Sequence, residues 1–310
     1  MLPNQQQDSS LTASQGGPVG GALAPELPWF ARTAPVIAVL TGVVLLALLT
    51  AWGLQSLGKK LTSAGPINWS PRKSLRVAPP VDRARQAEIE GLLERSATGD
   101  VSAADEIVSR YSSWTGKTHR TPRTDQFITA DLNSRDMHVR EAAIAAQLAI
   151  DGIPQDQGGL GMLEQAVSNR NSRAWALWML GALGNRGVDS VHTSRIIGAY
   201  LTDPDVNVRA SAVNGLALVG TDETIPMMLD RFRNDPSPLV QERAACALAE
   251  SGMYTHQQRM MAAASLVGWV DDSLLTSQQR NWAVHALSDI SGQHFGSDAA
   301  AWRRWFDSNH

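Results

Sequence analysis

Residues 203–220, DPDVNVRASAVNGLALVG, recur 32 positions later as DPSPLVQERAACALAESG. At this offset Asp203 meets Asp235, Pro204 meets Pro236, Val208 meets Val240, Ala212 meets Ala244, Leu216 meets Leu248 and Gly220 meets Gly252. An offset of 36 toward the N-terminus sets Arg173 beside Arg209, Ala176 beside Ala212, Leu180 beside Leu216 and Gly184 beside Gly220. Looser copies at 137–152 (MHVREAAIAAQLAIDG) and 277–292 (SQQRNWAVHALSDISG) bring the number to five. A second segment precedes each of copies two to five: LGMLEQAVS, DSVHTSRIIGAYL, ETIPMMLDRFRN and QQRMMAAASLVGWV. Apolar residues recur there at three- and four-residue steps, as at Ile225, Met228 and Leu229, which gives each helix one apolar face. A helix pair of this size cannot bury that face alone, but stacked pairs share a continuous core. The expected fold is all-α, an α-solenoid of about five helix pairs.

The copy spacing of 32 to 39 residues, the Asp-Pro turn, Val-Arg opening the second helix and A-x-x-x-L closing on Gly resemble the HEAT-repeat family, including its short bacterial form. The resemblance covers about residues 130–310, and copies one and five lack the Asp-Pro. Tetratricopeptide and ankyrin signatures are missing. The resemblance implies that Asp and Arg tie adjacent repeats together, which assigns Asp203, Arg209, Asp235, Arg173 and Arg140 a structural role. Asp also suits a helix start, and an Arg stem covers apolar surface. Residues 131–292 are thus read as the repeats. Residues 81–130, with VDRARQAEIEGLLERSATGD and VSAADEIVSRYSSW as helices, read as an N-terminal cap or a degenerate repeat. Residues 293–310 resemble a terminal segment of such proteins: a turn through Gly292, Phe295 and Gly296, then a helix capped by Ser297 or Asp298. Trp302, Trp305 and Phe306 share a face of that helix and are expected to seal the end of the core.

Upstream the composition changes. Residues 1–28 are rich in Gln, Ser, Gly and Pro, which predicts a disordered tail. Thr33 to Gly58 carries no charged residue; Trp29 precedes the run and Trp52 lies toward its end. A helix of about 20 residues crosses a hydrocarbon core of about 30 Å, and aromatic residues favour the interface. Residues 29–58 are therefore expected to anchor the chain in a membrane. The basic, Pro-containing linker 59–80 follows, with Lys59, Lys60, Arg72, Lys73 and Arg76. Basic residues near a span stay cytoplasmic, which predicts a single-pass protein with the solenoid in the cytoplasm; the alternative is the periplasmic or extracellular side.

Of the 27 basic and 30 acidic residues, six and two lie before position 81, so 21 and 28 remain and residues 81–310 carry a net charge of −7. An acidic domain repels phosphate backbones, which argues against nucleic acid as a partner. No H-E-x-x-H, C-x-x-C, G-x-S-x-G or G-x-x-x-x-G-K occurs, the seven His are dispersed, and the single Cys246 excludes an intramolecular disulfide framework. GGLGML at 158–163 lacks the third Gly of a dinucleotide fingerprint and reads as a loop. No catalytic, metal or cofactor site is expected. The repeat columns that vary point to a surface instead. Asn207, Ser211 and Asn214 correspond to Asn171, Trp175 and Trp178 one copy earlier, to Leu239, Arg243 and Cys246 one later, and to Gln278, Trp282 and His285 in the last. Trp and Arg are enriched among binding hot spots, so Trp175, Trp178, Asn207, Ser211, Asn214, Arg243, Trp282 and His285 form the candidate partner-binding stripe on the concave side. The alternative is that the tryptophans pack against neighbouring helices. The expected function is a membrane-tethered, non-enzymatic scaffold for a partner protein. The resemblance implies two alternatives, a bilin lyase or chromophore-attachment chaperone and a HEAT-like nucleic-acid-processing protein. The anchor and the lack of a bilin-handling residue set oppose the first, and the net charge opposes the second.

Overall fold

The computed structural model describes residues 82–309. The tail, the membrane span and the basic linker expected upstream lie outside the described residues. Within them the chain is all-helical: α1 (Arg83–Ala97), α2 (Val101–Trp114), α3 (Pro122–Leu132), α4 (Met137–Ile150), α5 (Gln157–Ser168), α6 (Arg173–Asn185), α7 (Ser190–Gly198), α8 (Val206–Val219), α9 (Thr224–Asn234), α10 (Pro238–Cys246), α11 (His256–Trp269), α12 (Ser277–Ser291) and α13 (Ala299–Asn309). One π-helical turn, Ala247–Ser251, extends α10. No helix among the described residues is long and apolar enough to cross a membrane.

Most helix starts are fixed by a side-chain oxygen that satisfies amides the helix leaves open. Asp82, Asp100, Asp136, Asp156, Asp189 and Asp205 each accept from an amide in the first turn of the helix they precede. Thr121, Thr255 and Thr276 do so in reciprocal capping boxes with Thr124, Gln258 and Gln279. At α13, Asp298 rather than Ser297 takes the Ala301 amide, at 2.9 Å.

Successive helices pair as α1/α2, α3/α4, α5/α6, α7/α8, α9/α10 and α11/α12, and the second helices α2, α4, α6, α8, α10 and α12 stack side by side in that order. α3 is therefore the first helix of copy one, and α1/α2 packs as a further pair. Apolar side chains form two clusters. The smaller joins Ile89, Leu93, Ile107, Trp114 and Ile128 to the alanines of α4. The larger runs from Ile144 and Leu148 of α4 to Trp302 of α13. α4 feeds both, which is why almost every residue from Val139 to Ile150 is buried. At the far end α13 packs on α11. Trp302 is fully buried, meets Phe295 and Trp305 edge-on at 4.9 and 5.9 Å, and donates its indole N–H to the Gly296 carbonyl at 2.8 Å.

The tightest packing is between α6 and α8. A Cβ on Gly181 would lie 2.2 Å from the Gly215 carbonyl oxygen, and one on Gly215 would lie 2.5 Å from that of Leu177. The two helices touch backbone to backbone, and only hydrogen fits between them. Gly181→Ala is expected to push them apart and lower the unfolding free energy by about 3 kcal/mol, read by urea titration. The control Gly161→Ala, whose Cβ would meet nothing within 4 Å, should leave stability unchanged or raise it, since Ala favours a helix over Gly.

Candidate interaction surface

Two of the turns within pairs, α7/α8 and α9/α10, are built around one carboxylate each. Asp203 accepts the Asp205 amide at 2.8 Å on one oxygen and the Arg173 guanidinium at 3.3 Å on the other. Asp235 accepts the Ser237 amide at 2.9 Å and a two-pronged contact from Arg209, Nε to Oδ2 at 2.9 Å and Nη2 to Oδ1 at 3.0 Å. These aspartates do not cap the following helix: they fold the turn two residues ahead of the cap and receive an arginine from the preceding pair. Each of those arginines also donates to a carbonyl six residues back, Arg173 to Val167 and Arg209 to Asp203. Asp235 has no exposed side-chain surface and Arg209 only 10%, so geometry rather than mere proximity keeps both charges satisfied. The carboxylate holds the Arg209 guanidinium above its usual pKa.

Arg140 occupies the same column but has no such carboxylate, because the next turn reads Asn169-Arg170-Asn171-Ser172. It keeps the bond to the carbonyl six residues back, Ser134, and sends its other arm to the Glu250 carbonyl at 2.7 Å and the Gly252 carbonyl at 3.3 Å. Those acceptors end α10, three pairs downstream. Arg259 of α11 shares them, at 2.9 and 2.8 Å. The missing acid was visible in the sequence, but the distant partner was not.

The expected stripe is not continuous. Ser211 is 3% exposed and its hydroxyl donates to the Asn207 carbonyl at 2.8 Å, so it presents no surface to a partner. α8 is buried almost all round, from Val208 to Val213 and from Gly215 to Val219. Trp175 and Trp178 are half-buried against the larger core, and the Trp175 indole N–H points at Asp151 Oδ2, 3.5 Å away, at the end of α4. Asn207 is exposed and Asn214 half-buried. Toward the C-terminal end the columns open. Arg243 is half-buried and Trp282, like Trp175 and Trp178, is half-buried against the larger core, while Cys246 and His285 are exposed on α10 and α12. The Arg243 Nε is buried without a hydrogen-bond partner among the described residues. Trp305 and Phe306 pack half-buried beside Trp302.

At the opposite end lies a group with no counterpart in the other pairs. Asp131, in the last turn of α3, is fully buried, and neither carboxyl oxygen has a hydrogen-bond partner among the described residues. Burial pushes its pKa up to about 7, and the nearby Ser96 hydroxyl only partly offsets this. A helix C-terminus also disfavours negative charge. No three potential metal ligands cluster among the described residues.

The family model described as HEAT repeats matches residues 160–249, a stretch that contains Arg173, Asp203, Arg209 and Asp235. The match supports a HEAT-repeat relationship for that stretch. A crystal structure of an engineered protein is similar at 18% identity and a TM-score of 0.34, over 66% of this chain and 97% of that one. No curated protein matches.

Two outcomes follow. Arg209→Ala leaves Asp235 buried without its cation and should cost about 3–5 kcal/mol of unfolding free energy; Arg173→Ala, whose contact is longer and partly exposed, should cost about 1 kcal/mol. Urea titration of both variants tests the difference. For Asp131 the folded pKa lies above the unfolded one, so its stabilising effect is complete below about pH 4 and is lost as pH rises through about 7. The stability gap between Asp131→Asn and the natural chain should therefore widen in favour of the variant by about 2–3 kcal/mol between pH 5 and pH 8.

Proposed function

We propose that the chain is a membrane-tethered scaffold that binds a partner protein and performs no chemistry of its own. The observation that carries this reading is the match of residues 160–249 to HEAT repeats on a stack held by the Arg173–Asp203 and Arg209–Asp235 contacts. A stack of this kind offers an extended surface whose residues vary from pair to pair while the frame stays constant.

The tether is the charge-free run from Thr33 to Gly58, long enough for a hydrocarbon core of about 30 Å. The basic residues Lys59, Lys60, Arg72, Lys73 and Arg76 after it favour the cytoplasmic side for the solenoid. The partner-binding face centres on α10 and α12, where Arg243, Trp282 and His285 remain accessible in part or in full. An arginine and a tryptophan beside polar neighbours are the residue types that anchor protein interfaces. Anchoring raises the effective concentration of whatever the scaffold holds at the bilayer.

Proximity labelling from the C-terminus in living cells tests tether and partner together. Cytoplasmic proteins, recovered with the natural chain and reduced about tenfold by Arg243→Ala at unchanged thermal stability, are the expected result. Periplasmic or extracellular labelling overturns the orientation, and recovery that Trp282→Ala and Arg243→Ala leave unchanged overturns the binding face.

A further inference from the structure

Arg140 joins residues 110 positions apart in sequence, from the first turn of α4 to the end of α10. Second helices packed in a straight row at about 9 Å spacing would set α4 and α10 about 27 Å apart, well beyond the reach of an arginine. The contact therefore exists only because the row curls until its inner side meets itself.

The closing contact differs from the Arg–Asp rungs in what it holds. Arg140 and Arg259 both donate to the carbonyls of Glu250 and Gly252. Two cations share two neutral carbonyls at a helix end, where the carbonyls carry only partial negative charge. Burial lowers the pKa of Arg140, and burial together with Arg140 pushes Arg259 down to about 10; the Glu250 carboxylate, which hydrogen-bonds neither arginine, offsets this only in part. Neutral acceptors bind a guanidinium less strongly than a carboxylate does, and like charges at close range repel. If Arg140 withdraws, Arg259 still occupies both carbonyls, and it also keeps its bond to Leu248 at 3.0 Å. Arg140 itself still holds the Ser134 carbonyl. Opening at this point orphans no acceptor.

A π-helical turn sits at the same place, with the Gly252 amide bonded to the Ala247 carbonyl at 3.0 Å. Such turns present carbonyls out of the α-helical line, and here those of Leu248, Glu250 and Gly252 all face arginines. Immediately after it the Met253 amide bonds the Ala217 carbonyl of α8 at 2.8 Å, so movement at the latch is transmitted to the inner helix.

We propose that Arg140 is a latch on the curled stack, which exchanges between the closed form described here and an open form in which Arg140 leaves Glu250 and Gly252 and the inner side widens to admit the partner. Admission of the partner rests on the scaffold reading; the opening itself does not.

Hydrogen exchange on the full-length chain tests it. In the natural chain, amides at 252–253 and in the first turn of α4 should exchange at least tenfold faster than those of Leu216 and Leu218 in α8. Arg140→Ala should speed the former a further tenfold while the melting temperature moves by only a few degrees. Arg140→Lys, which keeps the charge but loses the fork, should fall between and serves as the readout if the alanine variant does not fold. Exchange of all these amides at the single rate of global unfolding, unmoved by either substitution, overturns the latch. Fast local exchange without recovered partner leaves the latch standing and overturns the scaffold reading.

Discussion

Where Gly181 and Gly215 face each other, α6 and α8 meet with no side chain between them, and much of the remaining architecture is set by that approach. Helices in a row usually stand 8–10 Å apart, as their side chains dictate. At the glycines the backbones themselves set the spacing of α6 and α8. The Arg140 contact to the end of α10 requires in addition that the row from α4 to α10 be curved, and the arginine fastens that curved arrangement.

The arginine column gives the same side chain three settings. Arg209 is saturated by a buried carboxylate, Arg173 shares a partly exposed one and lies 5.1 Å over the Tyr200 ring, and Arg140 has carbonyls alone. Since a paired buried charge is costly to break and an unpaired one costly to keep, strength along the column falls from the middle of the stack toward its N-terminal side. Asp131 extends that trend: the N-terminal pairs hold the one fully buried carboxyl group without a hydrogen bond among the described residues. Local opening concentrates where buried polar groups are least satisfied.

The first helices of copies two to five are legible because apolar residues recur in them at three- and four-residue steps. α3 is harder to assign to copy one: its turn to α4 reads Asn133-Ser134-Arg135-Asp136 and lacks the Asp-Pro that marks the α7/α8 and α9/α10 turns. The glycines that close the five copies share a column but not a torsion. Gly152, Gly220 and Gly292 take the left-handed conformation, at φ 71°, 64° and 70°, and Gly184 and Gly252 do not. Gly184 lies inside α6 against Thr193 and Val219, and Gly252 is extended after the π-turn, at φ −79°. Alignment of sequence identifies a position in the frame but not the backbone torsion, which depends on what the neighbouring pair brings to it. The same limit applies to the variable columns. Ser211 and Trp282 are equivalent in register, but curvature buries one and leaves the other half open.

The bond from Arg140 to the end of α10 also fixes a number. It is geometrically possible only with three steps between the two helices at this curvature. An inserted pair would carry the Glu250 and Gly252 carbonyls past the guanidinium, and a deleted pair would stop them short. Repeat arrays commonly lengthen or shorten by whole units because each unit contacts only its neighbours. This stack contains a contact that skips units, so the segment from α4 to α10 behaves as a ring of set size, and drift in copy number is confined to the pairs outside it.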